Sequence, residues 1–491
     1  MADSQNVLSS GIPGLDDVLA GGFTEGRTFV IRGGPGTGKT TIVLQFLLEG
    51  IRHNEPCLYI GVGGAGDVIC AIAQSHGWLS ECRSITVHEV GLPQEGLLAP
   101  KRRAFHSADV DLGESVRGIL DVLEKVNPKR VVIDTLAELR LICEDDIEYR
   151  RQALALRNAL AGGGRTVVIT DYGGDANTDL HLEALAHGSI LLENIAQEFG
   201  KERRRLRVMK YRARQVRSGW HDFKISMGKI EVFPSLVASE YHGAHPDSLL
   251  SSGNHSLDEL LHGGINRGTV TAIIGPSGAG KSSLTAHYVA AAARKGEKSA
   301  VYLFDETKQT YVKRSDGMGL SMSGMIESGS VHLRQLDAAE ISPGEFLNTV
   351  RDQVEKEGVA VVVIDSLNGY VNAMMEERLL LIQLHELFIF LDQKGVSTFL
   401  IVAQHGMVGT TMQQQLDVSY LADNIILLRF FEMRGEVRRA ISALKKRQGG
   451  HELTIREIRY SGNGLELSEP LQQMQGVLTG VPNLARECNA D

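Results

Sequence analysis

Two stretches of the chain are near-copies of each other, and a fold for this sequence has to be one that can be built twice. LSSGIPGLDDVLAGGFTEGRTFVIRGGPGTGKT, from Leu8, matches LSSGNHSLDELLHGGINRGTVTAIIGPSGAGKS, from Leu250. Gly11 falls on Gly253 (253 − 11 = 242), and the same offset carries Leu15 to Leu257, Gly26 to Gly268, Gly33 to Gly275 and Lys39 to Lys281. VVIDT ending at Thr135 answers VVVIDS ending at Ser366, and Lys210-Tyr211-Arg212 answers Lys445-Lys446-Arg447. The stretch Phe233 to Gly253 between the copies has Pro, Ser, Gly and His but little periodicity. The boundary is therefore expected near residue 246, giving domains 1–245 and 246–491, with a C-terminal tail from about Ser468.

Each copy alternates short β-branched runs with longer amphipathic ones. In the first these are TFVIRG, TIVLQFLLEGIR, CLYIGV, VRGILDVLEKV, RVVID, RQALALRNAL and TVVIT. Strands that are apolar throughout, separated by helices, predict a mostly parallel sheet covered on both faces. The expected class is α/β in two tandem copies.

Composition narrows the function. With 43% hydrophobic and 23% charged residues the chain reads as globular, and 491 residues suffice for a core in each half. Lys+Arg 51 against Asp+Glu 60 gives −9, so nucleic-acid binding would need a local basic groove. Cys57, Cys70, Cys82, Cys143 and Cys488 are odd in number, far apart and without a Cys-x-x-Cys, which predicts neither a disulfide framework nor a zinc site. Met1 to Asn6 lack a signal-peptide start and no uncharged apolar run approaches about 18 residues, so a cytoplasmic, non-membrane location is expected.

Gly33-Gly34-Pro35-Gly36-Thr37-Gly38-Lys39-Thr40 and Gly275-Pro276-Ser277-Gly278-Ala279-Gly280-Lys281-Ser282 both satisfy G-x-x-x-x-G-K-[ST] between an apolar strand and an amphipathic helix. Glycines let backbone N–H groups curl round a triphosphate, and a lysine neutralises its β/γ oxygens. The expected ATP-binding residues are Gly36, Thr37, Gly38, Lys39, Thr40 and Thr41, and Gly278, Ala279, Gly280, Lys281, Ser282 and Ser283. A Mg²⁺ ion would be held by the Thr40 and Ser282 hydroxyls with Asp134 and Asp365, which end the next apolar strands.

Hydrolysis also needs a carboxylate to orient or deprotonate the attacking water. Asp305 and Glu306 leave the second strand of the second copy and are the candidate catalytic pair. In the first copy Gly63 and Gly64 stand there, and Asp67 comes about three residues later, so that domain is expected to bind nucleotide and hydrolyse it poorly. Lys210 and Arg212, like Lys445 and Arg447, end strand-like runs where a cation would reach a γ-phosphate held by the next subunit of a ring. The cluster Arg203, Arg204, Arg205, Arg207, Arg212, Arg214 and Arg217 is read as a solvated or inter-subunit face before a nucleic-acid channel.

Together, the tandem phosphate loops, the S-G-x-x-x-L-D-x-x-L-x-G-G block before each, the acidic pair and the closing Lys-x-Arg resemble the KaiC family of clock ATPases and autokinases in the RecA superfamily. DVSYLADNIILLRFFEMRGEVRRAISALKKRQGGHELTIREI, from Asp417, and PLQQMQGVLTGVP, from Pro470, resemble its KaiC-like signalling members outside cyanobacteria. The resemblance implies an ATP-bridged double-ring homo-hexamer with Lys210, Arg212, Lys445 and Arg447 acting across subunits, and KaiB-like or other signalling partners at the ring faces and the tail. It matches Asp305 and Glu306 to two catalytic glutamates, and places Ser419 and Tyr420 at the two phosphoacceptor positions, with Ser419 as the candidate phosphosite. Two other functions stay open: a nucleotide-gated scaffold with little turnover, and a RecA-type recombinase or helicase, against which stand the acidic charge and the 5% aromatic content.

Overall fold

A computed structural model describes residues 6–62, 64–90, 108–135, 160, 163–172, 186–197, 200–241, 243, 247–372, 377–404, 419–478 and 483–484. The chain folds as two compact units, Met1–Ser235 and Leu236–Asp491. The division precedes the boundary expected at 246, because Leu236 joins the core of the second unit and Glu386 accepts a hydrogen bond from the Ala238 N–H at 2.9 Å. The polar, aperiodic stretch is thus partly structural, anchored by one leucine and one carboxylate.

In the first unit β1 (Thr28–Gly33), α1 (Lys39–Arg52), β2 (Cys57–Val62), α2 (Ala65–Ser75), β3 (Thr86–Val90), α3 (Ala108–Val126), β4 (Arg130–Asp134), β5 (Thr166–Asp171), β6 (Gly188–Ile195), β7 (Arg203–Tyr211), β8 (His221–Ser226) and β9 (Lys229–Phe233) follow one another. Among the described residues they form one nine-stranded sheet, order β9-β8-β7-β6-β1-β5-β4-β2-β3, parallel from β3 to β6 and antiparallel beyond.

The second unit repeats the plan with β10 (Val270–Gly275), α4 (Lys281–Arg294), β11 (Lys298–Leu303), α5 (Lys308–Gly317), β12 (Val331–Gln335), α6 (Pro343–Glu357), β13 (Val359–Asp365), α7 (Leu367–Asn372), α8 (Glu377–Gln393), β14 (Ser397–Ala403), β15 (Asn424–Met433), β16 (Glu436–Lys446), β17 (Arg456–Ser461) and β18 (Gly464–Pro470). Its order is β12-β11-β13-β14-β10-β15-β16-β17-β18. The α/β expectation holds in both copies.

The central strands are apolar throughout because both faces are covered. Side chains alternate: Val362 and Ile364 enter one core, Val361 and Val363 the other. The duplication extends to single hydrogen bonds. Asp16 accepts from Ser9 Oγ at 2.7 Å and from the Ser10 N–H at 2.8 Å; Asp258 accepts from Ser251 Oγ at 2.5 Å and from the Ser252 N–H at 2.8 Å. The expected tail does not start at Ser468, which lies inside edge strand β18, and Val477 beyond it is buried against Phe431 and Ala440. Residues 485–491 of that tail, and residues 151–159 of the helix expected at 151–160, lie outside the described residues.

Buried in α4, His287 Nε2 has no partner, and burial holds the ring's pKa down to about 4. Because that value lies below the ordinary 6.5, the neutral ring's contribution is whole above about pH 6.5 and drains away as pH falls toward 4. Acid denaturation of the second unit is expected to begin below pH 6.5, and His287→Gln should remove about 2–3 kcal/mol of that pH dependence in melts from pH 7 to pH 4.5.

Candidate functional site

Both phosphate loops sit where parallel strands end and a helix begins, the position at which open α/β sheets bind ligands. The turn into each helix needs a left-handed residue: Gly38 has φ 96° and Gly280 φ 101°. Lys39 Nζ donates to the carbonyls of Gly33 (2.7 Å) and Gly34 (2.9 Å), and Lys281 Nζ to those of Gly275 (2.9 Å) and Pro276 (2.8 Å). Burial lowers the pKa of both ammonium groups; Asp365 opposes this for Lys281, and Asp134 and Asp171 do so for Lys39. A lysine held at the N-terminal turn of a helix is suited to an anion, whose charge would restore its ionisation against burial.

Thr40, Thr41, Ser282 and Ser283 form the first helical turn behind the lysines. Asp365 ends β13 and hydrogen-bonds the Ser282 side chain, while its Oδ2 is buried with no partner. Burial first, and then the Glu306 charge, push its carboxyl up to about 6. An orphaned oxygen beside the loop hydroxyl fits a Mg²⁺–nucleotide: Ser282 and Asp365 would hold the ion, which neutralises the β/γ oxygens. No group of three or more metal-binding side chains stands together among the described residues. In the first unit Asp134 is engaged instead by Tyr59 Oη (2.7 Å) and by Thr170 Oγ1.

Strand register tests the comparison of the copies. Gly61 pairs with Asp134 as Leu303 pairs with Asp365, so counting on two and three residues sets Gly63 against Asp305 and Gly64 against Glu306. Gly63 lies outside the described residues; Gly64, at φ 73°, is the N-cap of α2. Asp67 is exposed on α2. In the second unit Ser366 Oγ donates to Asp305 Oδ2, and Arg314 grips both oxygens of Glu306.

The remaining candidates stand at the opposite end of the sheets. Lys210 pairs with Ser189 and Lys445 with Ile425, beside the start of β1 and β10. The Arg212 N–H donates to the His187 carbonyl at 3.0 Å. Lys445 Nζ donates to the carbonyls of Ser419 (3.0 Å) and Ala422 (2.7 Å), and Arg447 pairs with Asp423 at 2.8 Å. Ser419 and Tyr420 are exposed just before β15. None of these residues comes together with the phosphate loop of its own unit.

Three of the seven clustered arginines pair with carboxylates: Arg203 with Asp222 (3.2 Å), Arg204 with Glu202 (3.0 Å), and Arg205 with Glu193 (2.8 Å) while stacking over Trp220. Sequence reasoning missed several residues at the loops. Tyr460 Oη donates to the Gly280 carbonyl (2.9 Å), Arg439 Nε to the Gly278 carbonyl (3.3 Å), and Lys39 lies 4.9 Å from the Tyr172 ring centre. Their partners are distant in sequence, so no spacing announced them; the nearer Arg314, eight residues after Glu306, belongs to no phosphate-loop pattern.

Comparison with known proteins agrees with this geometry. The family model described as "ATPase: KaiC" matches residues 8–237 and again 250–472. The circadian clock protein KaiC3 of Synechocystis is 26% identical over 490 residues, 98% of this chain and 95% of that protein. The circadian clock oscillator protein KaiC of Acaryochloris marina is 25% identical over 484 residues (96% and 90%), and that of Thermostichus vulcanus 26% over 486 (96% and 90%). No helix among the described residues is long and apolar enough to cross a membrane. Two RecA-like sheets, two phosphate loops with their lysines buried, and a family model that matches both copies make this chain an ATPase of the KaiC family.

Proposed function

We propose that this ATPase is also a serine autokinase, working as an ATP-bridged homo-hexamer in signalling or circadian-type timing. The carrying observation is the separation of donor from acceptor within one unit. β15 runs parallel to β10 with Asn424 opposite Thr271, and the phosphate loop begins only at Gly275. At about 3.3 Å per residue, Asn424 lies about 13 Å below the loop, and Ser419 comes before it in the chain, its carbonyl held by Lys445 at that end of the sheet, too far for direct transfer. Ser419 therefore receives its phosphoryl group from a neighbouring subunit, whose γ-phosphate meets Lys445 and Arg447 at the same edge; Lys210 and Arg212 do this between first units. The names of the relatives given above, those of circadian clock proteins, support the signalling class.

In the second unit Asp305 and Glu306 supply the carboxylate that accepts the proton of the attacking water or of the Ser419 hydroxyl, with Lys281, Ser282 and Asp365 holding Mg–ATP. The first unit, lacking that pair, holds ATP through Lys39 and Thr40 and turns it over slowly. KaiB-like or other protein partners bind the ring faces and the C-terminal residues, in the cytoplasm. Radiolabelled ATP tests this with the native chain and an Asp305→Asn/Glu306→Gln double variant, with mass in solution measured alongside. Label on Ser419 of a hexamer, lost together with at least about 100-fold of turnover in the double variant, is the expected result. A hexamer whose slow turnover ignores the substitutions would make the chain a nucleotide-gated scaffold, and a label-free Ser419 would remove it as acceptor.

A further inference from the structure

The two members of the acidic pair are held in different ways. Asp305 is exposed; Ser366 Oγ donates to its Oδ2, and that hydroxyl oxygen in turn accepts the Gly369 N–H at 3.2 Å. Among the described residues nothing donates to Asp305 Oδ1. The Glu306 side chain is only 19% exposed and both its oxygens are taken by Arg314, Nη1 to Oε1 and Nη2 to Oε2 at 2.9 Å. Arg314 extends from α5, with its guanidinium 5.5 Å from the Tyr311 ring centre.

The first copy supplies a comparison within the chain. The helix after the second strand is followed by a positive-φ glycine in each copy, Gly77 at 74° and Gly319 at 75°, and 319 − 77 is again 242. Counting between that glycine and the strand register sets Gly64 against Glu306 and Ile72 against Arg314. The copy that lacks the glutamate also lacks its arginine, and Ile72 packs against the core instead. Loss of both members together is what an ion pair acting as a unit leaves behind, since either charge alone would be left uncompensated.

We propose that Arg314 is a positioning residue that fixes Glu306 as a closed ion pair, leaving Asp305 as the carboxylate that takes the proton from water. This rests on the reading of the second unit as the hydrolytic one. In the step itself the water oxygen bonds to the γ-phosphorus, and the bond from that phosphorus to the β–γ bridging oxygen breaks, its electron pair leaving on ADP. The water proton passes to Asp305. Glu306 would have to give up a charge-assisted hydrogen bond to accept that proton, whereas Asp305 Oδ1, packed beside Gly369, has no donor to give up among the described residues. Arg314 also offsets one of the three carboxylates, Asp305, Glu306 and Asp365, that a triphosphate must approach.

Steady-state Mg–ATP turnover of the full chain tests this in five variants, with thermal melts to check folding. Asp305→Asn is expected to lower kcat at least about 100-fold, and Glu306→Gln less than tenfold, because glutamine still accepts from Arg314. Arg314→Met leaves an unpaired carboxylate and should raise KM and cut kcat/KM by about tenfold or more. Adding Glu306→Gln to Arg314→Met should return kcat/KM to within about threefold of Glu306→Gln alone, and Arg314→Lys should recover part of the loss. A larger kcat loss in Glu306→Gln than in Asp305→Asn overturns the proposal. So do effects of Arg314→Met and Glu306→Gln that multiply, which would mean that Arg314 acts on ATP directly. If every variant turns over like the native chain, the second unit is not the hydrolytic one and the proposal falls with that reading.

Discussion

Asp365→Asn is expected to raise the melting temperature of the nucleotide-free protein while lowering Mg–ATP turnover about 10–100-fold. The aspartate is 7% exposed and its Oδ2 has no hydrogen-bond donor. A buried acceptor left unsatisfied costs about 1–3 kcal/mol, more when charged, and the neutral amide removes the charge at nearly constant volume. The Ser282 side chain hydrogen-bonds the Asp365 carboxyl, and the proposed metal site would draw on that carboxyl, which gives the buried charge its use. Melts without nucleotide and turnover with Mg–ATP, on the same preparations, check both halves. A variant that melts lower and still turns over normally would make Asp365 a structural group. Asp134 accepts from Tyr59 on one oxygen and from Thr170 on the other, so Asn, whose amide nitrogen cannot accept, should give no such gain there.

Arg130→Met is expected to destabilise the first unit by about 3–5 kcal/mol, the largest stability effect argued for this chain. The side chain is 2% exposed at the start of β4. Its Nε donates to Glu55 Oε2 at 2.6 Å, and its Nη1 donates to the carbonyls of Ser9 (2.7 Å) and Phe46 (2.9 Å), with the guanidinium 4.7 Å from the Phe46 ring centre. Three segments far apart in sequence meet on one cation. Methionine matches the stem but leaves two carbonyls and Glu55 without that donor; Lys129 still pairs with Glu55 at 2.8 Å. Denaturant unfolding followed by probes of each unit should show the first transition shifted and the second unchanged. An unmoved first transition would mean that the cation's desolvation offsets its bonds.

The candidate site was legible in sequence in so far as it is built from consecutive residues. Gly33 to Thr40 and Gly275 to Ser282 announce themselves because a phosphate loop makes its ligands from one turn of backbone. Asp134 and Asp365 were candidates because an apolar strand ending in a carboxylate points to the ligand edge of a parallel sheet. Asp305 and Glu306 were candidates because they leave the second strand of the second copy at that edge, where the first copy has glycines. What could not be read was the pairing: Arg314 on Glu306, Ser366 on Asp305, and Tyr460 and Arg439 on the second loop. Those contacts depend on helix pitch and on which strand lies beside which. The unit boundary was missed for the same reason, because only packing reveals that Leu236 belongs to the second core.

The sequence by itself determined the duplication, the α/β class, the two phosphate loops and the loss of the acidic pair from the first copy. These are encoded in local order: period-two and helical hydrophobic patterns, and glycines at fixed spacing before a lysine. Only the tertiary structure decided that Arg314 takes both oxygens of Glu306 while Ser366 takes one of Asp305, that Asp365 keeps an unpartnered oxygen while Asp134 is engaged on both, and that the Ser419 carbonyl is held by Lys445. The reason is physical: the chemistry of a carboxylate depends on which donors and charges the fold brings within a few ångströms of it, and those neighbours come from segments whose separation along the chain says nothing about their distance in space.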